Sequence, residues 1–181
     1  MSGFLKYGGF LLCLLSFGTL MGQNTHFEDQ ILNQLNYGSV SSFGEGNGVV
    51  VSQYGNKNEA QLSQLASRQF AIIQQVGAEN LIKAMQSGNS QIIEIYQNGD
   101  LNAVEALLQG NNLSSDINQY GDNNSLQQMV IGNNKNIEVT QVGYDNDLVH
   151  VDSGSTIKAY TITQVGTGMN LRVTMGNVNS K

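Results

Sequence analysis

The chain has 181 residues, enough for one modest domain. It is acidic, with 14 Asp+Glu against 8 Lys+Arg, which argues against binding nucleic acid or an anionic membrane surface, because either needs a basic face. It holds 22 Asn, 18 Gln and 21 Gly but no Pro and no Trp, a biased polar composition suited to stacked β-structure rather than to a mixed core.

In chain order, Lys6 opens a short basic region and Phe10 to Leu20 form an apolar run too short to span a bilayer comfortably. Residues 1–22 read as a secretory signal, with cleavage expected after Gly22. Cys13 falls inside this run, and Leu12 before it is bulky where a lipoprotein site needs a small residue. The mature chain would then carry no cysteine, hence no disulfide framework and no thiolate metal site. No later segment has the apolar length of a membrane helix, so no membrane insertion is expected. Residues 23–42 lack the regular pattern that follows.

From residue 43 onward the chain is a repeat. Gln-x-Gly-x-x-Asn occurs at Gln53–Asn58, Gln75–Asn80, Gln97–Asn102, Gln119–Asn124 and Gln141–Asn146, each copy 22 residues after the last. A sixth copy starts at Gln164 after 23 residues, and its Asn170 comes one place late. Glycine marks a finer, 11-residue lattice: Gly44, Gly55, a gap at Ala66, then Gly77, Gly88, Gly99, Gly110, Gly121, Gly132, Gly143 and Gly154, with Gly166 one place late and Gly176 on the lattice again. Each unit is therefore two similar arms. In the second arm the Gln place holds Gln64 and Gln86, and later Leu108, Val130 and Asp152.

An arm reads as a seven-residue strand and a four-residue turn. In nine arms beginning at residues 58 to 146, the third and fifth places are apolar in 15 of 18 cases, against 11 of 27 at the second, fourth and sixth. The period is two, and the odd places face inward. Glycine is expected in the turns, where it takes positive φ without steric cost. Two strands and two turns make a coil that cannot bury its inner face alone, so the coils must stack. Stacking places Gln over Gln and Asn over Asn, and each amide both donates and accepts, so the columns become hydrogen-bonded ladders. The expected fold is all-β, a solenoid of about six coils rising about 29 Å at about 4.8 Å per coil. Neither end carries a Pro or an evident cap, so both ends are expected to offer open strand edges.

Other chemistry is sparse. His150 and Asp152 fall on the inner face with Asp147 nearby, but a Ser-His-Asp reading lacks a nucleophile, an orienter and an oxyanion hole, so catalysis is not expected. The expectation is a tolerated irregularity in the fifth coil; the alternative is a pH-sensitive layer, with a histidine titrating near neutrality and an aspartate that resists ionisation. His26 is the only other histidine, so neither a cofactor nor a transition-metal site is expected. Asp122 and Asp145 read as solvated turn carboxylates. Tyr54, Tyr120, Tyr144 and Phe43 read as turn residues that pack between coils or bind surfaces. Phe70, Ile72, Ile92, Tyr96 and Leu107 read as an outward apolar stretch.

The Gln-x-Gly-x-x-Asn copies over about residues 43–175, behind a secretory signal, resemble the curlin family, the subunits of bacterial curli fibres. The resemblance implies an extracellular functional amyloid of biofilm matrix and adhesion, with partners in copies of itself and other curlin subunits. It implies export through an outer-membrane secretion pore with periplasmic accessory proteins, and a targeting role for residues 23–42. Departures are the larger number of repeats and the second-arm losses at Leu108, Val130 and Asp152. The alternative function is a monomeric extracellular β-solenoid that binds a polysaccharide or another surface ligand. A polysaccharide-degrading β-helix would need clustered carboxylates and basic groups at one level, and the pattern shows none.

Overall fold

The computed structural model describes residues 11–13 and 46–176, and among these there is no helix. The chain is a β-solenoid of about six coils whose walls are two sheets. One wall holds β1 (Leu11–Cys13), β2 (Gly48–Asn56), β4 (Gln69–Ala78), β6 (Gln91–Asn98), β8 (Leu113–Tyr120), β10 (Lys135–Tyr144) and β12 (Ala159–Thr167), in that spatial order. The other holds β3 (Glu59–Gln64), β5 (Leu81–Gln86), β7 (Ala103–Leu107), β9 (Ser125–Leu126), β11 (Asp147–His150) and β13 (Asn170–Val173). From β2 onward every pairing is parallel and joins one coil to the next.

The register is that of the repeat. Gln53 lies beside Gln75, Gln75 beside Gln97, Gln97 beside Gln119, and Gln119 beside Gln141. The extra residue of the last interval sits in the 151–158 loop, so Gln141 still meets Gln164. Burial alternates along the strands with period two. Ala71, Ile73, Ile82, Ile93, Ile95, Val104, Ile117, Leu126, Ile137, Val139 and Leu148 form one continuous apolar core. Each coil covers the inner residues of its neighbours, which is how a coil with so few apolar side chains is buried at all.

Four expectations need correction. The first-turn glycines do take positive φ, as at Gly77 (+121°) and Gly99 (+131°), but Gly88, Gly110 and Gly132 do not. There the left-handed place belongs to Arg68, Ser90, Asn112 and Asn134. Glycine is required for another reason: a Cβ on Gly88 would overlap the carbonyl of Gly110, and one on Gly110 the carbonyl of Gly132.

The arm from Asn124 is not a full strand. β9 stops at Leu126, and Gln128, Met129, Val130 and Ile131 have φ of 56°, 123°, 91° and 86°. Gln128 occupies an inner place that the other arms, except the one with His150, fill with apolar residues, and its amide donates across the coil to Ser115 Oγ at 2.9 Å.

The edge of β2 is not open, because β1 pairs with it antiparallel, Leu11 beside Gln53 and Cys13 beside Val51. Leu107 lies in β7, on the opposite wall from Phe70, Ile72 and Ile92, so the outward apolar stretch is confined to the first wall. The expected signal (apart from β1), residues 23–42, His26 and Phe43 lie outside the described residues.

Gly110→Ala is expected to lower stability in urea denaturation by about 1–3 kcal/mol through overpacking. Gly154 has φ +81° and nothing within 4 Å of its Cβ position. Gly154→Asn is expected to be close to neutral, since Asn tolerates the left-handed region.

Candidate functional site

The distinctive chemistry of this solenoid is its columns of stacked side chains. In the first-arm column each Gln Nε2 donates to the Gln Oε1 of the following coil: Gln53 to Gln75 at 2.6 Å, Gln75 to Gln97 at 2.9 Å, Gln97 to Gln119 at 2.8 Å, Gln119 to Gln141 at 2.8 Å and Gln141 to Gln164 at 2.9 Å. The same Nε2 also donates to a backbone carbonyl of the preceding coil, as Gln119 does to Ala103 at 3.0 Å. That second bond fixes which end of each amide points forward, so the column has one direction. Gln75, Gln97 and Gln119 are fully buried. A buried amide without partners is costly, and here each stacked coil supplies them.

Asn58, Asn80, Asn102, Asn124 and Asn146 form the second column. Each Nδ2 donates forward to a turn-glycine carbonyl, to Gly77, Gly99, Gly121, Gly143 and Gly166 in turn, at 2.7–3.0 Å. Each Oδ1 from Asn58 to Asn102 accepts the backbone N–H of the next Asn at 3.0–3.1 Å. The column therefore ties the turns together as well as the side chains. It ends at Asn146: Asn170 lies beside Asp147, is exposed, and yields its rung to Met169, whose N–H bonds Asn146 Oδ1 at 3.2 Å. The 23-residue interval that pairs Gln141 with Gln164 also pairs Asp147 with Asn170, so Met169 holds the place that Asn has in earlier coils. In the second-arm column Gln64 donates to Gln86 at 2.9 Å, and Leu108 and Val130 continue it as fully buried apolar rungs.

The recurring Gln and Asn motif does not mark several further rungs. Gln69 and Gln91, at the first place of their arms, are fully buried and donate to the carbonyls of Gly88 and Gly110 at 2.7 and 2.6 Å. Turn carboxyl and amide oxygens cap the preceding coil's backbone, Asp122 on Asp100 N–H at 2.8 Å and Asn133 on Asn111 N–H at 2.7 Å. Asp145 accepts from Asn123 Nδ2 at 2.6 Å. Among the described residues no three His, Cys, Asp or Glu side chains converge as a metal site would require. Tyr54, Tyr120 and Tyr144 are exposed, and the Tyr120 ring packs against Tyr96 at 5.5 Å between centroids.

The fifth coil replaces amides with charge. Lys135 Nζ lies 3.0 Å from Asp152 Oδ2, both buried. Lys135 also donates to the carbonyls of Ser155 (2.7 Å) and Ile157 (2.9 Å). The Tyr160 hydroxyl donates to Asp152 Oδ2 at 2.6 Å, and Ser155 N–H to Oδ1 at 2.8 Å. Since the Tyr160 proton is committed, His150 Nε2 is the donor in its 2.7 Å bond to that hydroxyl. Its Nδ1 is then a buried acceptor with no partner. Lys135 has the same first-place signal as Gln69 and Gln91. Tyr160 joins the cluster only because the 151–158 loop resets the register.

Asp152 does not resist ionisation. Burial pushes its carboxyl up, but the bonds from Tyr160, Lys135 and Ser155 outweigh burial and hold it below the usual carboxylate range. His150 does not titrate near neutrality either. Burial lowers it from 6.5 to about 4, with the Asp152 charge opposing and the Lys135 charge assisting. Burial and the Asp152 bond raise Tyr160 far above its ordinary range. On the outer face of the first wall, Glu94, Asp116 and Glu138 stack in adjacent coils. Burial and then the neighbouring carboxylate raise Glu94, and burial and the Glu138 charge raise Asp116 against an opposing Asn118 bond.

Gln97→Ala interrupts the first column and strips Gln119 Oε1 of its rung. It is expected to cost about 2–4 kcal/mol in urea denaturation, against about 1 kcal/mol or less for Gln53→Ala at the half-exposed end.

The unfolded His150 titrates near 6.5 and the folded one near 4, so its contribution is complete above about pH 6.5 and is lost as pH falls toward 4, on the order of 3 kcal/mol in all. Asp152, also lowered, loses stability in the same direction at still lower pH. Glu94 and Asp116, both raised, act oppositely and gain stability as pH falls through their folded values. His150→Gln is expected to flatten the stability profile between pH 4 and 6.5, as read by thermal unfolding at each pH.

No family model matches the chain, and no curated protein or solved structure does.

Proposed function

We propose that this chain is a secreted, non-enzymatic, curlin-like subunit that polymerises by stacking solenoid on solenoid into an extracellular fibre of biofilm matrix and adhesion. The observation that carries this reading is the single direction of the Gln column. Gln164 donates to the carbonyls of Asp147 in the preceding coil and Met169 in its own, in the pattern of Gln119 and Gln141, and its remaining forward partner would be an amide oxygen in a seventh coil. Gln53 begins the same column at the other end. A second copy set head to tail would therefore continue the ladder in phase.

The first coil offers the matching apolar surface. A cavity of about 360 Å³ opens there, lined by Val49, Val51, Ala60, Leu62 and Ile73, which inside the array would be covered by another coil. Ile162, Leu171 and Val173 border the core at the opposite end. Stacking would bury both surfaces and pair the edges of β12 and β13 with those of β2 and β3, the incoming subunit replacing β1 on β2, and such edge pairing is the driving force of cross-β assembly. The sealing of His150 and Asp152 inside the fifth coil supports a structural rather than a catalytic role. Secretion, the outer-membrane pore, the periplasmic accessory proteins and other curlin subunits as partners follow from the resemblance and belong to the same proposal.

Incubated after removal of the expected signal, the protein should form thioflavin-positive fibres after a lag, with diffraction near 4.8 and about 10 Å. A folded β-protein that stays monomeric at high concentration would sink the reading and favour a ligand-binding solenoid.

A further inference from the structure

We infer that the outer edge of the first coil is a docking edge for one antiparallel strand, and that its occupant is this chain's own N-terminal apolar segment at Leu11–Cys13. Its consequence for growth rests on the fibre reading above; the docking itself does not.

Every strand pairing from β2 onward is parallel, and β1 on β2 is the antiparallel exception. It sets Leu11 beside Gln53, Leu12 beside Ser52 and Cys13 beside Val51. An edge strand offers unpaired N–H and C=O groups to any extended segment, whatever its direction. The three residues engaged include Gln53, where the Gln column begins, and Val51, which borders the open apolar mouth. An incoming copy that continued the column would set its Gln164 beside Gln53 and its Ile162 beside Val51. The N-terminal strand and the next subunit thus compete for the same backbone groups.

The outer face of the first coil is also sheltered from solvent. Val50 and Phe70 point outward from the first wall, away from the core, yet are only 1% and 3% exposed. Among the described strands β2 is flanked by β1 and β4 alone. The 32 residues from 14 to 45 join Cys13 to the first coil, enough chain for β1 to reach this edge.

The cap is built to be removed. A three-residue strand binds weakly by itself and holds the edge only because it is tethered, at an effective concentration in the millimolar range. The expected cleavage after Gly22 lies between β1 and the first coil. Cutting there makes the strand a dilute, separate peptide facing a nine-residue competitor, β12. The unprocessed chain is then a poor acceptor at its first coil, and processing opens it.

The test uses the full chain with a specific protease site inserted between Gly22 and Gln23. Hydrogen exchange is followed at the Val51–Gln53 amides, and growth is followed by thioflavin T. Cleavage should speed exchange at these amides and shorten the lag about tenfold or more. In the uncut chain, Leu12→Pro and Cys13→Pro are compared. Successive amides point to opposite sides of a strand, so one of the two must remove a donor facing β2 and reproduce the effect of cleavage. Exchange and lag unchanged by cleavage would overturn the cap while leaving the fibre reading intact. If neither cut nor uncut chain polymerises, the fibre reading fails, and the exchange data alone decide whether the edge is occupied.

Discussion

Each coil must place its residues directly over the same residues of the coil before it, and nearly every feature of this molecule follows from that constraint. The strands of successive coils pair in parallel at a 22-residue interval, so identical side chains meet along the whole array. A slip of one residue would turn every inner side chain outward. A slip of two would keep the faces but set Gln over the apolar residue two places away. The buried amides make the second error as costly as the first, because an amide in an apolar column loses both its donor and its acceptor. Apolar columns supply the driving force, and amide columns fix the register.

The turns are governed by the same closeness. Carbonyls stack over glycines at separations that leave no room for a Cβ, and Asn and Asp oxygens reach across to backbone amides of the neighbouring coil. Turn chemistry is thus not a local matter of φ and ψ alone. A residue in one turn is selected by the turn stacked on it.

The fifth coil shows how the array tolerates an exception. Lysine stands where glutamine or leucine stands in earlier coils, and aspartate where the second-arm column has already become apolar. The two charges are buried together, and Tyr160 and Ser155 complete their hydrogen bonds. Such a pair is weak evidence of added stability, since desolvation offsets much of the attraction. Its members are interdependent: loss of either leaves the other charged and dry. At the first coil the exception is of another kind, a strand of opposite direction on the edge that any added subunit would need.

The sequence by itself determined the all-β class, the 22-residue coil, the inner face and the Gln column from Gln53 to Gln164, because strict periodicity and identical residues at fixed spacing leave one stacking solution. It also placed His150 and Asp152 inside. The tertiary structure alone decided what those two residues do, because their partners Lys135, Tyr160 and Ser155 come from other strands and from a loop whose insertion resets the register. It decided that Asn170 leaves its column, since the 23-residue interval set by the 151–158 loop runs on unchanged through the next turn and puts Met169 in the Asn place. It decided that Gly88 and Gly110 serve close stacking rather than positive φ, a distinction that lies in the neighbouring coil and not in the glycine. And it decided that the first edge is occupied, since an apolar run carries no signal for which edge it will pair with or in which direction.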